Sequence, residues 1–428
     1  MFRFENLIKA IENEEFYFKI TKILIFCAYF FGAIFLSLTI SPFPQYDELA
    51  YIEHVKKISN SNNFWYLGDR NRMPLFNYLL FIFFSDSFSE NLIYRSFQFK
   101  NIIYVGILSY LYLRKLNTIF LSKVSMLFCS IFTIFFPIFA YIHDVVVEPL
   151  FYITFGLFYI CGVEFFKTPN KKNGLIFGGI SSMLYLLKAS GLSFYFASIV
   201  FFIFFYIYKK TLTIKKIQNL LISILAFFII CSPYLIENYK NYNKHIFYNV
   251  NTTFYIWYDS WEEVELGTKK YNDRIGWPNM EKDEVPSLTK YLSEHTGVEI
   301  ANRFISGFKN ITIYYFSLNE FTGAINLTLL LLSLILAKNR KKIYEVDAFN
   351  FYYLFFLLLL IFIGAAWYHV IAPIPRFTIL IFVPIYLNIF LIIEKIFIKS
   401  NDREKDLNSR FIISIFMIAQ ASIIFYQI

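Results

Sequence analysis

Apolar positions in this chain come in long, nearly unbroken runs divided by short polar stretches. This is neither the alternation of a half-buried strand nor the one-sided stripe of a soluble helix. The runs fall at about 20–40, 97–113, 118–142, 149–166, 174–188, 191–208, 217–236, 320–337, 349–366, 376–393 and 410–426. At ~1.5 Å per residue, roughly 20 apolar residues cross the ~30 Å hydrocarbon core of a bilayer. The pattern therefore predicts an all-α polytopic membrane protein with about 11 transmembrane helices. A shorter run, Pro74–Phe84, is too brief to span and predicts a helix lying in the interface.

Charge gives the runs a direction. Basic clusters follow every second run: Arg114-Lys115, then Lys167 with Lys171-Lys172, then Lys209-Lys210 with Lys215-Lys216. Lys338 with Arg340-Lys341-Lys342, and Lys395 with Lys399, Arg403 and Lys405, continue the series. The positive-inside rule places these clusters in the cytoplasm together with the N-terminus. Lys172 and Lys209 then share a side, so 174–208 must cross twice, turning near Lys188-Ala189-Ser190-Gly191. The C-terminus falls outside, in the cell (inner or plasma) membrane.

Two longer segments remain on the outer side of this single transmembrane domain. The first, 41–96, carries the interfacial helices; the second, 237–309, is a loop of about 70 residues that reads as solvated or as a small subdomain. Its Trp257, Trp261 and Trp277 suit the headgroup level. No inverted repeat of the kind found in many transporters is visible.

Composition narrows the class. Hydrophobic residues make up 57% of the 428 and charged residues 17%, which excludes an ordinary soluble domain. The net charge of +9 would suggest nucleic acid, but its carriers cluster at run ends, where they set topology; no nucleic-acid partner is expected. Residues 1–19 lack a small-residue cleavage site, and the run that follows is too long for a signal peptide. Cys27, Cys129, Cys161 and Cys231 all lie within apolar runs and imply neither a disulfide framework nor a metal site.

On this topology an unusual set of charges gathers at the outer face. Asp47 and Glu48 follow the first span, Arg70 and Arg72 precede Pro74 in the same loop, and His143, Asp144 and Glu148 lie before the fourth span. Lys188 sits at the outer turn, against the positive-inside bias, and His369 and Arg376 bracket the entry to span 10. Each has a structural explanation. The acidic pair could charge a helix first turn, Glu148 before Pro149 fits an N-cap with Pro at N1, and the arginines could snorkel. The two histidines suit interfacial hydrogen bonding. Together, however, cations and carboxylates at one membrane face suit a lipid-linked phosphate and an acceptor hydroxyl. Arg and Lys would bind the phosphate, and a carboxylate would take the acceptor's proton.

The residues resemble the glycosyltransferase C superfamily, particularly the branch of protein O-mannosyltransferases and lipid A aminoarabinose transferases. The resemblance runs through six short motifs in order. Tyr46-Asp47-Glu48-Leu49-Ala50-Tyr51 matches the family's Asp-Glu motif, and Arg72-Met73-Pro74-Leu75-Phe76-Asn77-Tyr78 its basic–Pro–Pro–Leu–aromatic stretch, with Met73 where the first Pro is common. Glu148-Pro149-Leu150 looks like the second acidic motif. Gly178-Gly179-Ile180 through Leu187-Lys188 resembles the small-residue helix ending in Lys. Ser232-Pro233-Tyr234 with Glu237-Asn238-Tyr239 is similar to a Pro…Arg-Asn-Tyr segment, Glu237 departing from the usual Arg; Pro375-Arg376-Phe377 and Pro384 resemble the Arg-Tyr…Pro stretch of a late span.

The resemblance implies an inverting transfer of a sugar from a polyprenyl phosphate to an extracytoplasmic acceptor on a glycan, lipid or protein. Asp47 would be the general base, with Glu48 positioning it, and Glu148, with Asp144 beside it, the second acidic site. Arg72, Lys188 and Arg376, with Arg70, would bind the donor phosphate, and His143, Tyr51 and His369 would make polar contacts. No cofactor and no metal are expected; the lipid-linked donor is a substrate. From the residues alone other classes stay open: a transporter or flippase of lipid-linked substrates, and a non-catalytic membrane scaffold or a polysaccharide polymerase or ligase that uses lipid-linked glycans.

Overall fold

The computed structural model describes residues 14–40, 43–44, 47–61, 72–120, 126, 129–130, 133, 141–242, 246–247, 255–270, 286–316, 349–350, 352–371 and 379–393. Every regular element among them is a helix. The first run becomes α1 (Glu14–Thr39), and the segment 41–96 yields α2 (Asp47–Asn60) and the short α3 (Pro74–Phe81). Then follow α4 (Glu90–Leu116), α5 (Glu148–Lys167), α6 (Lys171–Leu187), α7 (Ser190–Tyr208) and α8 (Ile214–Tyr242). The chain beyond α8 contributes α9 (Trp261–Lys270), α10 (Leu288–Glu294) and α11 (Gly297–Phe316). Last come α12 (Tyr352–His369) and α13 (Phe382–Ile393).

Five stretches among the described residues are long and apolar enough to cross a membrane: Lys22–Thr39, Glu148–Lys167, Ser190–Tyr208, Ile214–Lys240 and Tyr352–His369. Runs 320–337 and 410–426, and most of 118–142, lie outside the described residues. The expected hairpin is present: α6 ends at Leu187 and α7 begins at Ser190, with Lys188 in extended conformation between them.

The core is a bundle centred on α5, most of whose residues are buried. Small residues set its closest contacts. Gly174 and Gly178 of α6 lie against the backbone of α8, where a Cβ on Gly178 would overlap the Ser223 carbonyl. Ser182 Oγ donates to its own helix at Gly178 O (2.7 Å) and reaches Phe227 O across the interface (3.3 Å). Backbones of membrane helices approach this way when no large side chain intervenes. Elsewhere phenylalanine and tyrosine fill the space. Phe349 stacks on Phe166, and Tyr353 packs on Tyr159 and donates to Ser198 Oγ at 2.9 Å, joining α12 to α5 and α7.

Inside α8, Pro233 supplies no N–H for the Ile229 carbonyl. Ser232 Oγ donates to that carbonyl at 2.7 Å, so the helix continues through the proline with the acceptor satisfied. All four cysteines are free thiols, Cys27 exposed and the others buried.

Candidate functional site

The acidic pair opens α2. Successive helical residues point ~100° apart, so two neighbouring acids cannot share one environment. Asp47 accepts from Arg72 Nη2 at 2.6 Å, an ion pair that retains partial exposure (33% and 14% of the side chains). The guanidinium lies over the Tyr51 ring, 5.2 Å from its centroid, and Phe76 meets that ring edge-on. Glu48 turns inward and is buried. Its Oε1 accepts from Tyr94 Oη (2.8 Å) and from the Val145 backbone N–H (2.7 Å).

The Val145 contact ties α2 to the loop before α5. Three residues later, Glu148 opens that helix. It is the first helical residue rather than the cap: Val147 occupies the cap position, and no side chain caps the helix. The carboxylate is spent instead on Lys188, whose Nζ donates to Oε1 at 2.9 Å. Glu148 is the more deeply buried partner, and Lys188 lies 5.6 Å from the centroid of the Phe151 ring. The two halves thus share one plan: a carboxylate, a cation and an aromatic ring that orients the cation.

Three side chains of α4 fix the intervening loop. Tyr94 bonds Glu48, Gln98 Nε2 donates to His143 O (2.7 Å), and Asn101 Nδ2 donates to Asp144 O (3.0 Å). Arg95 bonds Gln98 Oε1 and Ser37 O, extending the lattice to the end of α1. Tyr94, Gln98 and Asn101 stand at i, i+4 and i+7, a polar stripe on one face of a helix. That spacing was available in the sequence; because an apolar run covers part of it, these residues were not among the expected ones.

The structure therefore joins Glu48, His143 and Asp144 through one hydrogen-bonded loop against α4, with the Asp47–Arg72–Tyr51 and Glu148–Lys188 units adjoining it along the chain at α2 and α5. His143 Nε2 lies 3.5 Å from Asp144 Oδ1, a long pairing in which the histidine's backbone is the firmer anchor. His369 is buried at the end of α12, where its carbonyl accepts from Asn310 of α11; this places it beside α11. Arg70 and Arg376 lie outside the described residues. Glu237, the departure from the family pattern, acts on the Tyr78 hydroxyl: burial and that carboxylate push the phenol up to about 12. Tyr234, three residues before Glu237, donates to Met73 Sδ beside Arg72.

The chain between α8 and α12 has its own polar hub, which was not among the expected sites. Arg303 of α11 is buried and bonds Asp259, Tyr291 Oη, Ile256 O and Trp367 O, with its guanidinium 4.4 Å from the Trp367 centroid. Trp257, expected at the headgroups, packs against Trp367 and Tyr291 within this hub. Trp261 is exposed and bonds Glu265, and Trp277 lies outside the described residues. Asp259 also accepts from Tyr291 and His295. Burial alone would raise its pKa, but these hydrogen bonds and the guanidinium together hold it below the usual range. His295 presents Nε2 to Asp259 (2.7 Å) and Nδ1 to Tyr291 O (2.9 Å). Both partners can only accept, so both ring nitrogens carry protons.

No known family, curated protein or solved structure matches this chain.

Proposed function

We propose that this protein is an integral-membrane inverting glycosyltransferase with about 11 spans, its ion-pair network at the extracytoplasmic face and a polyprenyl-phosphate sugar as donor. The observation that carries the reading is the joining of two carboxylate–cation–ring units, Asp47–Arg72–Tyr51 and Glu148–Lys188–Phe151, through one hydrogen-bonded loop. Both cations come from sequence positions far from their acids, and both are partly exposed, so an incoming phosphate can compete for them.

The chemistry follows from these groups. Asp47 Oδ takes the proton of the acceptor hydroxyl as its oxygen attacks the anomeric carbon. The bond from that carbon to the phosphate oxygen breaks, and the electron pair leaves with the polyprenyl phosphate. Arg72 and Lys188 stabilise the charge that appears there, a role strengthened beside a low-dielectric membrane. Glu48 holds Asp47 in place from behind, and Glu148 keeps the Lys188 ammonium aimed at the site.

Asp47→Asn preserves shape and removes the base, so transfer by purified protein with a polyprenyl-phosphate sugar should fall about a hundredfold or more. A near-normal rate in folded protein rejects the assigned base. Lys188→Ala should weaken donor binding, and unchanged affinity for the lipid phosphate would remove it from the phosphate site.

A further inference from the structure

The helix that ends at Lys188 begins at a second concentration of positive charge. With 17 residues in α6, its first residue lies about 25 Å from Lys188 along the axis, at the opposite end of the bundle. A cleft of about 760 Å³ opens there between the starts of α6 and α8, lined by Lys171, Lys172, Lys215, Asn219, Ile214 and Ile222 among others. Its frame is rigid. Asn170 caps α6 by accepting from Asn173 N, Asn173 Nδ2 bonds Thr168 twice, and buried Asn219 donates to Pro169 O at 2.8 Å. Thr213 Oγ1 accepts from Lys216 N at the start of α8. Gly174 lets the two backbones meet directly below the cleft.

Among the described residues no carboxylate pairs with Lys171, Lys172 or Lys215, and all three are exposed. The neighbouring lysine is spent differently, since Lys216 lies 4.1 Å from the centroid of the Tyr206 ring. Three lysines from two helices and two helix starts thus present positive charge to one cleft. Its apolar wall continues along α8, from Ile222 to the exposed Leu225 and Ile229, within a stretch long and apolar enough to cross a membrane.

We propose that this cleft binds the headgroup of an anionic phospholipid, with the phosphate held by Lys171, Lys172 and Lys215 and an acyl chain laid along Ile222, Leu225 and Ile229. Topology alone would scatter lysines at this end. It would not gather them around a hydrogen-bonded cleft that leads onto an apolar stripe.

The test uses the full chain in nanodiscs of mixed phosphatidylglycerol and phosphatidylcholine, with retained lipid counted by native mass spectrometry. Wild type should keep phosphatidylglycerol preferentially. K171Q/K172Q/K215Q should lose that preference, at roughly fivefold per lysine for charges near an anionic surface. K209Q/K210Q, at the same end but outside the cleft, should retain it. Preference surviving in the triple variant, or falling equally in the K209Q/K210Q control, overturns the proposal. If the triple variant does not fold, K215Q alone should show the roughly fivefold loss, and no loss counts against the site. Displacement of phosphatidylglycerol by millimolar inorganic phosphate would assign the cleft to a free anion instead of a lipid.

Discussion

Asp47 and Glu48 are neighbours with opposite fates, and the difference predicts what each substitution does. Glu48 is buried and satisfies both a phenol and a backbone N–H from another helix connection. Glu48→Ala leaves those donors without this acceptor, at an expected cost of about 1–3 kcal/mol in stability, measurable as a lower Tm in detergent. Asp47→Asn keeps a polar, partly exposed contact to Arg72, so Tm should stay near wild type while the proposed transfer is lost. A pair of variants with the reverse pattern would exchange the roles. The sequence marked both acids as unusual. It could not say which one faces inward, because that depends on the rotation of α2 against Tyr94 and the Val145 amide.

At the scale of elements, the spacing of small residues decides how closely helices meet. Gly178 of α6 rests on the Ser223 carbonyl of α8, so Gly178→Val forces the helices apart. Overpacking of this kind costs about 1–3 kcal/mol, to be read as earlier thermal unfolding; Gly179, which faces a flexible Ile230 side chain, should tolerate alanine. Helices, the α6–α7 turn and the short α3 were legible from apolar run length and breaks. The stripe Tyr94–Gln98–Asn101 was legible in principle, since polar residues at helical spacing in a largely apolar segment need a partner. The Arg303 hub was not. Its members come from Asp259, Tyr291, His295 and Trp367, with no periodicity linking them, and only the folded chain brings them together.

For the whole molecule, that hub fastens α11 and the Tyr255–Trp257 turn to α12. A Cβ on Gly307 of α11 would overlap the Ala366 carbonyl, and Trp367 Nε1 donates to Ile256 O. The fastening is pH-dependent with a definite sign. Burial works against the charged His295 ring, but the Tyr291 carbonyl and Asp259, with Glu299 nearby, raise its pKa above the ordinary value. Its contribution is therefore complete below about pH 6.5 and fades as pH rises through the raised value. Asp259 has a depressed pKa, so its contribution is present above about pH 4 and fades as pH falls through that lower value. Protection of 286–311 against hydrogen exchange, taken relative to the intrinsic rate at each pH, should be greatest between those limits and fall on either side, and His295→Gln should remove the alkaline limb alone. An unchanged alkaline limb in that variant would separate the hub's tightness from His295.

The tip between α6 and α7 is closed so tightly that a Cβ on Gly191 would come within 2.6 Å of the Leu184 carbonyl carbon. Lys188 is therefore a mooring of fixed height, able to sweep only the reach of its own side chain. If Lys188 receives the phosphate of a lipid-borne donor, as proposed, carriers would be sorted by how high they ride in the membrane and hardly at all by the make of their tails.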